Sequence, residues 1–465
     1  MFKRSLFFFF VLSQSIAFAQ LPIQRLTQAF STLQEDGQAK YALLSICVLD
    51  AKTGKQLFAR NENIGVATAS TLKTITSATA FAVLGKDFHY QTTIGYSGMI
   101  TAEGTLKGDL IIKGGGDPTL GSWRYEHSKE AAVLNQWVAA VKAAGIKKIE
   151  GKVIGDDQAW GTESTPEGWT WQDIGNYYGA GPSALSWREN QFDIKLNVAN
   201  TVTVQRTVPV MPYLTIVNEL KPGAAGSGDN AYAYLPPLST IAYLRGSWGR
   251  GIQKSGISVA TPDPAYDAAF RLQDTLEKVG IRISTAPTTA RQLIAAQTAM
   301  PELKQKLSTT TSPSLSEIVY WLNKKSINLY AEHLLKTIAW KSGLPATTSN
   351  GAATEIKYWT NKGLDRNALN IIDGSGLSPA TRVTTAAMAN ILFQAQKEEW
   401  FADFYKSLPE NNGMKLKSGT INDVSAFAGY YFADSGEKYV IVININNYSG
   451  GKINPKLFRT LDALK

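Results

Sequence analysis

At 465 residues, with 44% hydrophobic and 18% charged residues, the chain is globular, long enough for roughly two to four domains, and far too apolar to be disordered. The single cysteine, Cys47, excludes an internal disulfide framework and a cysteine-rich zinc site, and His89, His127 and His333 share no ligand spacing. The net charge of +9 is scattered without a polybasic run, which reads as a solvated basic surface rather than a nucleic-acid footprint.

Lys3 and Arg4, the apolar run Leu6–Leu12 and the small-x-small sequence Ala17-Phe18-Ala19 predict a secretory signal peptide over residues 1–19, cut after Ala19. The apolar run is about half of the ~20 residues that cross a bilayer, so no membrane span is expected and the mature protein is expected in the periplasm. Tyr41–Asp50, a turn at Ala51–Gly54 and Gln56–Arg60 form a hairpin pattern. Ala69–Leu84 reads as a helix that Gly85 stops. Residues 90–120 are β-rich and end in Gly114-Gly115-Gly116-Asp117-Pro118, a tight turn rather than a phosphate loop, since no Gly-Lys-Ser/Thr follows.

The tryptophan-rich stretch 123–187 predicts short helices and turns. Residues 190–260 alternate as strands, broken at Pro222–Gly228. Asp263 as N-cap and Pro264 at the first position open a helix that Gly280 closes. Leu315–Asn323 and Asn328–Trp340 are helical. Val424–Phe432 and Tyr439–Ile445 form a hairpin, and a last helix carries Leu457, Phe458, Leu461 and Leu464 on one face for core packing. Strands at both ends of the chain with helices between them predict one α/β domain with the middle inserted into it.

Three short motifs carry the chemistry. In Ser70-Thr71-Leu72-Lys73, hydroxyl and amine lie three residues apart on one helical face. Lys73 is the only charged residue from Ile64 to Gly85. Apolar surroundings and a helix N-terminus both disfavour an ammonium, which makes a general base of Lys73 and a nucleophile of Ser70. Locally the pair reads equally as a helix cap beside a snorkelling lysine. Ser435 and Ser449 begin the same spacing, but with glycines inside it.

Ser326-Ile327-Asn328 is the chain's one Ser-x-Asn, in a loop between two helices that can aim both side chains into a cleft; a plain helix cap is the other reading. Lys-Ser/Thr-Gly recurs at Lys52, Lys254, Lys341 and Lys417. Only the Lys417-Ser418-Gly419-Thr420 copy begins a strand that runs into a hairpin, where the glycine lets a substrate approach and the next N–H can face an oxyanion.

In this order the motifs form the signature of penicillin-recognising serine acyl-enzymes. The chain resembles the class C low-molecular-mass penicillin-binding proteins, the D-alanyl-D-alanine carboxypeptidase/endopeptidases. The resemblance extends over nearly the whole mature chain: GDLIIKGGGDPTL, NKKSINLYAE, DGSGLS and KSGT followed by VSAFAGY match it, as does the long gap from Lys73 to Ser326.

The resemblance implies an α/β (α+β) fold: an antiparallel sheet flanked by helices, with two nested β-rich inserted domains. The catalytic domain would be 20–89 and 297–465, the first insert 90–120 and 188–296, the second 121–187. It implies that Ser70 attacks the penultimate D-alanine carbonyl and Lys73 takes the Ser70 proton. Ser326 would protonate the departing amine, and Asn328 would orient the substrate. Lys417, Ser418 and Thr420 would hold the substrate carboxylate, Gly419 would let it approach, and the Ser70 and Thr420 N–H groups would form the oxyanion hole. No metal or organic cofactor enters, and the partners would be peptidoglycan peptides and β-lactams.

Asp156 and Trp160 resemble inserted-domain residues that meet the far end of the stem peptide; they read equally as a loop aspartate and a packed tryptophan. Ile327 stands where the family usually has Asp. Pro379 stands where it often has Arg, with Arg382 three residues on. A β-lactamase or esterase on the same site, or a non-catalytic wall-binding protein, are the competing functions. The intact motif residues argue against the last.

Overall fold

The computed structural model describes residues 22–465; the expected signal peptide lies outside them. The chain forms two compact units. One joins the described residues up to Ala78 to Ile356–Ile371 and Pro379–Lys465; the other comprises Thr79–Glu355 and Ile372–Ser378.

In the first unit, six antiparallel strands run in the order Gln56–Arg60, Leu43–Asp50, Lys438–Asn446, Val424–Phe432, Met414–Ile421 and Glu410–Asn411. Alternation sorts their side chains to two faces. Leu44, Ile46, Val48, Ile441, Ile443 and Ile445 pack under a helix over 22–34 and the terminal helix Asn454–Leu461. Leu457, Leu461 and Leu464 fill that core, as their spacing predicts. The other face meets the helix Thr385–Ala395: the Ser45 and Thr385 hydroxyls lie 2.7 Å apart and Tyr430 Oη donates to Leu392 O. Lys417, Gly419 and Asn444 share the parity of this second face.

The second unit is mixed α/β. A five-stranded sheet runs Thr288–Thr289, Val153–Asp156, Leu110–Lys113, Gln91–Tyr96, Gln305–Thr311. Its core includes Ile94, Leu110 and Ile112 with Trp137, Trp187 and Leu272. The 123–187 stretch holds more than short helices: Glu130–Ala143 is a full amphipathic helix, with Val133, Trp137 and Val141 buried. Asp263 caps its helix through the Tyr266 N–H, with Pro264 at the first position. A separate core of Phe192, Ile194, Leu244, Trp248 and Val259 holds the strands over 191–260. Pro222 does not break them, because Lys221–Gly223 pairs in parallel with Ser247–Gly249. All three glycines of the triplet are close-approach points as well as a turn: a Cβ on Gly114 would meet Ala184 O at 2.3 Å, one on Gly115 Gln91 O at 2.1 Å, and one on Gly116 the Trp160 ring at 2.4 Å.

The helix Asn328–Lys341 is buried on nearly all sides and carries charge into the interior. Glu332 accepts the Gly374 and Ser375 N–H groups at 2.9 and 2.8 Å. Asp373 accepts the Ser378 N–H and the Trp169 indole N–H. Each acid therefore satisfies backbone donors of the loop over 372–378.

Buried Glu355 joins them, and its carboxyl is pushed up to about 8 by burial, partly offset by the Thr79 hydroxyl, with Glu332 and Asp373 pushing the same way as burial. Because this folded-state value lies above the ordinary 4.5, the stability it contributes is full below pH 4.5 and is lost as pH rises through 8. Glu355→Gln is expected to flatten that slope, because glutamine does not ionise. Urea unfolding of both proteins from pH 5 to 8 checks this; parallel curves would contradict it.

Candidate active site

Gly65–Ala67 delivers the chain to Ser70. This short strand pairs antiparallel with Arg382–Thr384, Ala67 opposite Arg382. Asn444 and Asn446, on the central strand Lys438–Asn446, hold its end. Asn446 Oδ1 accepts the Ala67 N–H at 2.9 Å, while the Asn444 and Asn446 amides donate to Ala67 O at 3.0 and 3.3 Å. Asn446 Nδ2 also donates to Asn444 Oδ1 at 2.6 Å. Buried Ala69 then takes φ +45°, a left-handed conformation that costs a non-glycine residue about 1 kcal/mol or more.

Ser70 lies in a 3-10 turn, Ala69–Leu72, and the α-helix begins only at Lys73. This corrects the expectation of one helix from Ala69. The correction strengthens the pairing, because at three residues per turn positions i and i+3 eclipse. Buried Lys73 donates through Nζ to Ser70 Oγ at 2.8 Å, and Ser70 itself is half-buried.

The strand Met414–Ile421 crosses this turn. Lys417 lies in its middle rather than at its start. Beyond the Glu410–Asn411 pairing with Met414 and Lys415, no strand covers its outer edge among the described residues. Lys417 is buried and donates through Nζ to Ser418 O at 2.7 Å. Burial, and then the charge of Lys73, hold its amine well below the ordinary lysine range. Two buried lysine amines thus influence one another, and of the two it is Lys73 that reaches the Ser70 hydroxyl.

A Cβ on Gly419 would lie 2.8 Å from each of Ser70 N, Thr68 O and Thr71 N. Only glycine admits that approach, which sets the Ser70 amide against the residue before Thr420. Ser418 is half-buried and Thr420 exposed.

In the second unit, Ser326 ends the helix Leu315–Lys325 in a left-handed conformation, φ 55° and ψ 45°. This closes one helix and opens the next two residues later. Asn328 is the first residue of that next helix and does not cap it by its side chain; Asn328 Nδ2 donates to Tyr178 O at 2.7 Å. Asp156 is buried at the end of its strand and accepts the Gln158 N–H at 3.1 Å. Trp160 is 5% exposed, packed with Ala184 and Ala346 and tilted on the His333 ring at 5.0 Å. The neighbouring Asp157 carboxylate pairs with Arg291.

The other Lys-Ser/Thr-Gly copies sit elsewhere. Asp50 Oδ1 accepts the Lys52 and Thr53 N–H groups in a hairpin turn, Lys254 pairs with Asp229, and Gly343, at φ +80°, ends the helix of Lys341. Sequence reasoning missed Asn444 and Asn446. The signal was present: they are the polar positions of Ile443-Asn444-Ile445-Asn446, in a strand with both faces covered, where an amide needs a partner. Among the described residues no group of three or more His, Cys, Asp and Glu is arranged to hold a metal ion, and no helix is long and apolar enough to cross a membrane.

The model of the D-Ala-D-Ala carboxypeptidase 3 (S13) family matches residues 26–464. A D-alanyl-D-alanine carboxypeptidase from Actinomadura sp. (strain R39) is 26% identical, over 95% of this chain and 85% of that protein. The D-alanyl-D-alanine carboxypeptidase DacB of Haemophilus influenzae is 25% identical, over 84% of this chain and 82% of that protein. The crystal structure of penicillin binding protein 4 (dacB) from Haemophilus influenzae superposes with a TM-score of 0.77 at 22% identity, covering 92% of this chain and 97% of that one. The same protein complexed with a β-lactam superposes with a TM-score of 0.72.

Proposed function

The chain belongs to the D-Ala-D-Ala carboxypeptidase 3 (S13) family, and from that premise we propose that this serine DD-peptidase works through an acyl-enzyme on Ser70. Its substrates are peptidoglycan stem peptides, which it cleaves as a carboxypeptidase and as an endopeptidase. β-Lactams acylate the same hydroxyl. The signal-peptide pattern over 1–19 supports action in the periplasm.

The observation that carries the reading is the 2.8 Å contact between Lys73 Nζ and Ser70 Oγ. When the amine is neutral, this contact passes the Ser70 proton to Lys73 as Oγ bonds to the carbonyl carbon of the penultimate D-alanine. The Ser70 and Thr420 N–H groups stabilise the oxyanion that forms. The C–N bond then breaks, and Ser326 passes a proton to the leaving amine. Asn328 orients the peptide. Lys417 attracts the terminal carboxylate, and Ser418 and Thr420 hydrogen-bond it. Water then hydrolyses the ester and restores Ser70. Asp156 and Trp160 contribute to the wall that meets the far end of the stem. No metal or organic cofactor takes part.

Intact-mass spectrometry after incubation with penicillin, followed over time, tests the assignment. One stable penicilloyl adduct at Ser70 is expected. No adduct, or one at Ser435 or Ser449, overturns it, and rapid loss of the adduct makes the protein a β-lactamase.

A further inference from the structure

The strand Ile241–Gly249 and its partner Asp229–Tyr234 divide their side chains cleanly. Ala233, Ala242, Leu244 and Trp248 fill the core below. Tyr232, Tyr234, Tyr243 and Arg245 have the opposite parity, with Tyr232 opposite Arg245 and Tyr234 opposite Tyr243. The outward row is therefore not needed to fill that core, yet it is aromatic. Trp171 joins it, 50% exposed, its ring 5.9 Å from that of Tyr234.

The segment carrying Trp171 is fastened to the sheet. The Ala233 N–H donates to Asn176 Oδ1 at 3.2 Å, and a Cβ on Gly175 would meet Ala233 O at 2.0 Å. The Arg245 guanidinium lies 5.2 Å from the centre of the Tyr234 ring and 5.3 Å from that of Tyr243. Glu219 holds it at 2.8 Å.

Rigid, half-exposed rings present flat apolar surface at little entropic cost, with phenol, indole, guanidinium and carboxylate groups at their margins to exchange hydrogen bonds. The charge decides the ligand class. Arg245 and Glu219 cancel, and Asp173 lies beside Tyr178 at the end of the row. A polyanion finds no net positive field here, whereas a neutral ligand with apolar faces and a hydroxyl and amide rim matches. The row leads to Asn328 within the same unit. The Tyr178 phenol neighbours Tyr232 and Asp173, and the Tyr178 carbonyl is the group that Asn328 Nδ2 holds.

We infer that the face formed by Trp171, Tyr234, Tyr243 and Arg245 binds the neutral, N-acetylated glycan strand from which the stem peptides branch, sugar rings lying on the aromatic faces. This rests on the reading that peptidoglycan peptides are the substrate. It gives this DD-peptidase a binding surface for the polymer as well as a cleft for the peptide.

The test uses purified glycan strands freed of peptides, titrated into the mature protein. Tryptophan fluorescence and sedimentation with insoluble strands report binding. Tyr243→Ala is expected to weaken binding about tenfold, as loss of a central aromatic anchor does; Tyr243→Phe retains it, and both keep the parent rate of penicillin acylation. No binding by the parent protein, or equal binding by Tyr243→Ala, overturns the inference. So does a concentration-dependent dimer that Tyr243→Ala abolishes, which would make a second copy the occupant. Failure of penicillin acylation in the parent would instead overturn the peptidase reading, and glycan binding would still be measurable.

Discussion

Lys73→Arg is expected to slow penicillin acylation of Ser70 by at least ~10²-fold, the lower end for lost general-base catalysis. Arginine keeps the positive charge but stays protonated throughout the working pH range. It can donate to Ser70 Oγ and cannot take the Ser70 proton. The alternative role for Lys73, a cation that merely orients the hydroxyl, would survive the substitution. The second-order acylation rate therefore separates the two roles. Lys73 is fully buried, so the bulkier guanidinium also overpacks its surroundings by about 1–3 kcal/mol. Thermal unfolding of the variant, measured alongside, shows how much of the protein is folded at assay temperature. A folded Lys73→Arg protein that acylates at the parent rate would send the proton elsewhere.

Gly419→Ala is the second large effect. The added methyl carbon meets Ser70 N, Thr68 O and Thr71 N, each at 2.8 Å. All three are backbone atoms, so no flexible side chain can swing aside. The strand Met414–Ile421 must draw back from the Ser70 turn, which separates the two amides proposed to share the oxyanion. Displacements of this size at a reacting centre cost about 10²-fold in rate, and loss of one oxyanion donor costs ~10²–10³-fold. Acylation is therefore expected to fall at least ~10²-fold, with about 1–3 kcal/mol of stability lost to overpacking. Gly37→Ala is the control: a Cβ there meets nothing within 4 Å, and its acylation rate should equal the parent's. Parent-like acylation by Gly419→Ala would show that the strand and the turn need not touch.

The candidate site residues were legible because catalysis demands particular atoms at particular spacings. Ser70 and Lys73 stand out as a hydroxyl and an amine three apart in an otherwise uncharged run. Ser326 and Asn328 stand out as the chain's one Ser-x-Asn. Singling out Lys417 among four Lys-Ser/Thr-Gly copies needed context, and the hairpin pattern after it supplied the strand placement that the structure has. The long elements were legible for a different reason. The caps at Asp263 and Pro264, the continuous apolar run Tyr439–Ile443 and the leucine stripe of the terminal helix are local signals, each written within a few residues.

What stayed hidden depends on residues distant in sequence. That the first turn at Ser70 is 3-10, with Ala69 at positive φ, follows from the clamp that Asn444 and Asn446 place on Ala67 from the far end of the chain. The need for Gly419 follows from the nearness of two backbones, which no single segment encodes. The glycines at 114 and 116 look like a turn until the Ala184 carbonyl and the Trp160 ring are seen beside them. By itself the sequence determined which groups stand at spacings that suit chemistry and which segments are helix or strand, because those properties lie in side-chain type and short-range period. Only the tertiary structure decided how the Ser70 turn is shaped and held and which backbones it touches, because non-local hydrogen bonds and steric contacts set those.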